Sequence, residues 1–139
     1  MAELAVEDVQ AQVQACLNCL ELCRALYRQI DEPAVKEKLA SLVDGLQEVL
    51  ATLASHLRRW GAPSGDFEPD RQGKARIHQV LGMRSLPGQL QVVRKCLADI
   101  VAWYTAHQDA GVWLASLAAQ TQELLDAWDH GMREVKATR

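Results

Sequence analysis

At 139 residues, 49% of them apolar and 24% charged, the chain is long enough to close one hydrophobic core and carries an ordinary complement of surface charge. Its net charge of −3 argues against general nucleic-acid binding, and its longest charge-free stretches, such as Ala110–Gln122, are too short to span a bilayer. Met1–Asp8 carries acids and no apolar h-region, so no secretory signal is expected, and a soluble, cytoplasmic domain follows.

The apolar pattern is helical from the start. Over segment 3–30, Val6, Val9, Val13, Cys16, Leu20, Cys23, Tyr27 and Ile30 recur at alternating spacings of three and four, which is one face of a helix. Asp31-Glu32-Pro33 ends it and begins the next, because proline suits a first helical position where its missing N–H costs nothing. Segment 33–60 repeats the pattern with Val35, Leu39, Leu42, Leu46, Val49, Leu53, Leu57 and Trp60, and Gly61 closes it as a left-handed residue would. Residues 61–74, dense in Gly, Pro and Asp, read as a loop. Ile77, Val80 and Leu81 then form a short amphipathic turn able to dock on the rest. A third long helix, 86–109, places Leu86, Leu90, Val93, Leu97, Ile100 and Tyr104 on one face. After a tight turn at Asp109-Ala110-Gly111, a fourth, 112–136, carries Leu114, Leu117, Thr121, Leu124, Leu125, Trp128, Met132 and Val135.

The connections run short, long, short. Two hairpins joined by a crossover of about 25 residues predict an all-α, antiparallel four-helix bundle of ferritin-like wiring, one domain over 1–139.

Between Tyr27 and Gly65 the chain resembles the ferritin-like superfamily, in the style of its small rubrerythrin-related bacterial members. The run Tyr27-Arg-Gln-Ile-Asp-Glu-Pro-Ala-Val-Lys-Glu-Lys-Leu resembles the turn between their first two helices, and Leu57-Arg-Arg-Trp-Gly-Ala-Pro-Ser-Gly their second-helix exit. The resemblance implies a di-metal site built from inward Glu and Glu-x-x-His residues. This chain departs from that pattern: Leu46 and Val49 stand where the second-helix ligands belong, and alkyl groups hold no dication. Di-iron is therefore not expected. A non-standard site from Glu21, Asp99, Asp126 and His130 would make the chain a metal-dependent oxidoreductase, although all four fall off the apolar faces of their helices.

The concentrated chemical feature is Cys16-x-x-Cys19-x-x-x-Cys23, with Cys96 alone on the third long helix. Spacings of three and four set the three thiols on one side of one helix, where splayed Cβ vectors oppose disulfides. They read as small core hydrophobes, or as Cu(I) ligands, since thiolates select a soft ion. The run Ala15-Cys-Leu-Asn-Cys-Leu-Glu-Leu-Cys also resembles Cys-rich four-helix-bundle copper proteins. His107 shares a flanking line with Cys96 and Trp103.

Charge is unevenly spread. Residues 71–98 hold six bases (Arg71, Lys74, Arg76, Arg84, Arg94, Lys95) and no acid, either balancing acidic neighbours or forming a contact for an acidic partner. On the first helix, Leu4, Cys19, Leu22 and Leu26 widen the apolar arc beyond what one bundle face needs, which predicts a cover. That cover is either the crossover, through Phe67, Ile77, Val80 and Leu81, or a second copy in a homodimer. The dimer is the reading favoured here. The functional expectation is a non-catalytic binding or interaction module without a resident cofactor, with Cu(I) binding at Cys16, Cys19 and Cys23 as the alternative.

Overall fold

A computed structural model describes residues 4–63 and 68–137. Among them the chain forms five α-helices and no strand: α1 (Val6–Gln29), α2 (Pro33–Arg59), α3 (Arg71–Leu81), α4 (Leu86–His107) and α5 (Val112–Ala137), with a single 3-10 turn at Gln108–Ala110. No helix among these residues is long and apolar enough to cross a membrane.

The helix ends follow from local chemistry. The Asp8 carboxylate accepts the Ala5 N–H at 3.3 Å at the head of α1, and Pro33 occupies the first turn of α2. Gly61 takes φ +70°, a left-handed conformation that closes α2. At the head of α4, Ser85 Oγ accepts the Gly88 N–H at 3.2 Å. The expected loop 61–74 is shorter than its composition suggests. Asp70 Oδ1 accepts the Gly73 N–H at 2.8 Å, and this cap starts α3 at Arg71, before the first apolar residue of the segment. Residue 3, expected in the first helix, and Phe67, expected to cover it, lie outside the described residues.

Each long helix packs on two others: α1 on α2 and α4, and α5 on α2 and α4. The shorter α3 lies mainly on α1 and also touches α4. The core is continuous through Val13, Cys16 and Leu20 of α1, Leu39, Leu46 and Leu53 of α2, Val93 and Leu97 of α4, and Leu114 and Leu117 of α5. Thr121 joins it fully buried, its hydroxyl donated back to Leu117 O at 2.8 Å.

Two expected core residues lie outside it. Tyr27 is 40% exposed and takes Lys36 Nζ over its ring at 4.6 Å. Trp60 is 44% exposed at the end of α2, its ring edge-on to Trp113. The wide apolar arc of α1 is covered within the chain itself. Cys19, Leu22 and Leu26 are all buried, on a helix that packs against α2, α3 and α4 together. Of the four residues from which a homodimer through the first helix is expected, these three are buried and Leu4 is half-buried against the core, so the arc offers little apolar surface to a second copy.

Candidate functional site

A second stripe runs along α1 beside the core stripe: Gln12, Ala15, Cys19 and Leu22, again at spacings of three and four. It faces α3 and α4 and lines a cavity of about 280 Å³. From α3 come Gln72, Gly73 and Arg76; from α4 come Cys96, Asp99, Ile100 and Trp103.

The approach of α3 to α1 depends on polar stitching. Asn18 Nδ2 donates to Asp70 Oδ1 at 3.0 Å, and Asn18 Oδ1 accepts from Asp70 N at 3.3 Å. Gln14 Nε2 donates to Asn18 Oδ1 at 2.9 Å and to Glu68 O at 3.1 Å. Gly73 presses against the Asn18 amide so closely that a Cβ there would overlap it, which is why glycine stands at this contact. At the other end of α3, the buried Gln89 amide donates to Val80 O at 2.9 Å, and Gln29 Nε2 donates to Leu81 O at 3.0 Å.

This seating brings Arg76, one turn beyond Gly73, to the mouth of the cavity. Its Nη1 donates to Cys96 Sγ at 3.0 Å. Asp99, in the same wall, is engaged with Lys95 Nζ at 2.6 Å. Trp103 stacks on His107 with centroids 4.1 Å apart and stands edge-on to Tyr104 at 5.2 Å. His107 is thereby fixed, its Nδ1 lying 2.7 Å from Trp103 O, and forms no pair with Cys96. Gln12 is 8% exposed, and its Oε1 is buried with no hydrogen-bond partner. An orphaned acceptor costs on the order of 1–3 kcal/mol unless a water or a ligand satisfies it.

All four cysteines are free and buried. Burial is the main force holding Cys16 up at about 12, with the neighbouring Cys19 adding to it and Tyr104 opposing. Cys19 is raised by its hydrogen-bonding contact with Cys23 and then by burial, against the pull of Arg76. Burial also raises Cys96, with Cys19 adding to it and Arg76 acting the other way. At neutral pH these groups are therefore thiols, poor nucleophiles and weak acceptors. The Tyr104 hydroxyl contacts Cys16 without a hydrogen bond of full geometry, and burial raises it as well.

The residues weighed for metal chemistry are spread out. Cys16 turns into the core, whereas Cys19 lies at the cavity. Glu21 pairs with Arg24 at 2.7 Å, Asp126 accepts from Gln122 at 3.0 Å, and His130 pairs with Glu134 at 2.9 Å, each on its own helix. Among the described residues no three His, Cys, Asp or Glu side chains are placed to hold a metal ion. Leu46 and Val49 are fully buried.

The six bases also divide. Arg94 bridges to Asp129 at 2.8 and 3.0 Å, and Lys95 and Arg76 are engaged as described. Arg71, Lys74 and Arg84 are exposed on and after α3. The Arg94–Asp129 pair flanks a second depression of about 270 Å³, floored by Leu86, Leu90 and Trp128, where these two polar groups satisfy each other.

Gln12 is the site residue that residue type alone conceals, since glutamine reads as ordinary helix filler. The signal that finds it is position: it extends the Cys19–Leu22 line by two turns. No protein-family model, curated protein or solved structure matches the chain.

Proposed function

We propose that the protein is a non-catalytic binding module that seats a small molecule in the cavity between α1, α3 and α4. The observation that carries the reading is the orphaned Gln12 Oε1 in the wall of a cavity where a second amide, Asn18, is bonded to Asp70 and Gln14. The thiols nearby are protonated, and the carboxylate in the wall, Asp99, is held by Lys95, so the arrangement suits holding a ligand rather than transforming it. The scaffold we infer is an antiparallel four-helix bundle of ferritin-like wiring, in which the hairpins α1–α2 and α4–α5 are joined by the crossover that carries α3. The short α1–α2 and α4–α5 connections and the cyclic packing of the four long helices support it. Saturation-transfer NMR on a fragment mixture is the direct test. Binders seen with wild type should vanish in Ala15→Trp, which fills the cavity; equal binding to both proteins would sink the reading.

A second reading, Cu(I) binding, is favoured by one contact. Cys19 lies against Cys23 one turn along the same helix, and Cu(I), a soft ion, would have to displace the protons of both thiols to be held by that pair. Competition with a chromogenic Cu(I) chelator should then be lost in Cys19→Ser. Unchanged competition in that variant removes copper from this site.

A further inference from the structure

We infer that the cavity between α1, α3 and α4 takes a small organic monocarboxylate bearing a hydroxyl, the carboxylate seated on Arg76 and the hydroxyl on Gln12. This inference rests on the binding-module reading and adds the ligand's chemical class. Three features of the wall define that class.

The first is charge. Arg76 has a thiol as its polar partner, at 3.0 Å, and makes no ion pair with a carboxylate among the described residues. A guanidinium carries five N–H donors in a planar fork that matches a carboxylate, and a neutral thiol occupies only one of them. Asp99 lies in the same wall but is held by Lys95 at 2.6 Å and not by Arg76, so the Arg76 charge has no carboxylate paired to it. A monoanion balances it.

The second is the buried Gln12 Oε1, which lacks a donor. The ligand must therefore bring an O–H or N–H of its own. The third is the apolar part of the wall, Ala15, Leu22, Ile100 and the Trp103 ring, which calls for a flat or alkyl body between the two polar ends. At about 280 Å³ the cavity has room for one ring.

The probe that joins these features is 4-hydroxyphenylacetate. Its controls are 4-hydroxyphenylacetamide, which lacks the charge, and phenylacetate, which lacks the hydroxyl. Titration into the ¹⁵N-labelled full chain should move the Arg76 Nε–H, Gln12 side-chain amide and Trp103 indole cross-peaks together. The amide should bind at least about tenfold more weakly, as expected when a charge-assisted bond is lost. Arg76→Gln should bring the acid down to the level of the amide. Gln12→Leu should erase the preference for the hydroxylated acid over phenylacetate. Equal affinity of acid and amide, or an acid indifferent to Arg76→Gln, overturns the assigned ligand class while leaving a binding cavity in place. If no probe moves these three cross-peaks at millimolar concentration, the cavity holds water only, and the binding-module reading falls with the inference.

Discussion

Cys16 illustrates what burial does to a single group here. Folding places its thiol in apolar surroundings and pushes its ionisation to about 12 from an ordinary value of 9.0. In the unfolded chain the same thiol sheds its proton near that ordinary value, so above it the unfolded state binds fewer protons than the folded one. Stability from this source is complete below about pH 9 and is lost as pH climbs toward 12, at roughly 1.4 kcal/mol per pH unit. The melting temperature should thus fall between pH 8.5 and 10.5, as thermal unfolding followed by circular dichroism would show. Cys16→Ala should lessen that fall, to which the raised Cys19 and Cys96 also contribute, and an unchanged slope would mean that the Cys16 thiol does not drive it. The burial of Cys16 and Cys23 was legible in the sequence, because three-and-four spacing with Leu20 fixes which way they face. The environment of Cys19 was not, because it depends on a helix more than fifty residues away along the chain closing over α1. Tyr27 and Trp60 were misplaced for a related reason: periodicity assigns a face, but at a helix end that face can run past the neighbours it would pack on.

At the scale of elements, α3 is the piece the sequence rendered least well. Its 11 residues carry few apolar groups, and only Gly73 and Val80 are buried, so its docking rests on Asn18, Asp70, Gln89 and Gln29. Side-chain amides that stitch one segment to another leave no periodic trace. The four long helices, by contrast, were legible to within a few residues at each end, because proline, glycine and capping residues mark their limits. The same sparseness makes α3 the element most easily lifted. In Gly73→Ala, the new methyl must displace Asn18 and with it the bonds to Asp70. Hydrogen exchange followed by mass spectrometry should show α3 amides opening at least about tenfold faster, with α2 and α5 unchanged, since local opening is cheapest where burial is least. Protection unchanged in α3 would show that the Asn18 contact does not set its stability.

On the scale of the whole molecule, the buried arc of α1 decides how the chain meets other copies of itself. Leu22 and Leu26 are each no more than 1% exposed. A double substitution Leu22→Glu/Leu26→Glu should abolish the folded state rather than separate two folded subunits, because two carboxylates would be forced into the core. Light scattering on wild type should return a mass near 15.4 kDa. Twice that mass would place a contact on another surface, since the face of α1 is occupied. The aromatic stacks carry a different consequence, an optical one. His56 stacks on Trp113 at 3.9 Å, and burial followed by the charge of Arg59 lowers its basicity. An excited indole readily passes an electron to a protonated imidazole and not to a neutral one, so Trp113 should dim as His56 gains its proton below its usual range. Trp103 stacks in the same way on His107, and because it lines the cavity, a ligand seated there would alter its emission as well. Two of the chain's four tryptophans are thus stacked on histidines whose protonation they report, and one of the two also borders the cavity, so neither readout requires a label.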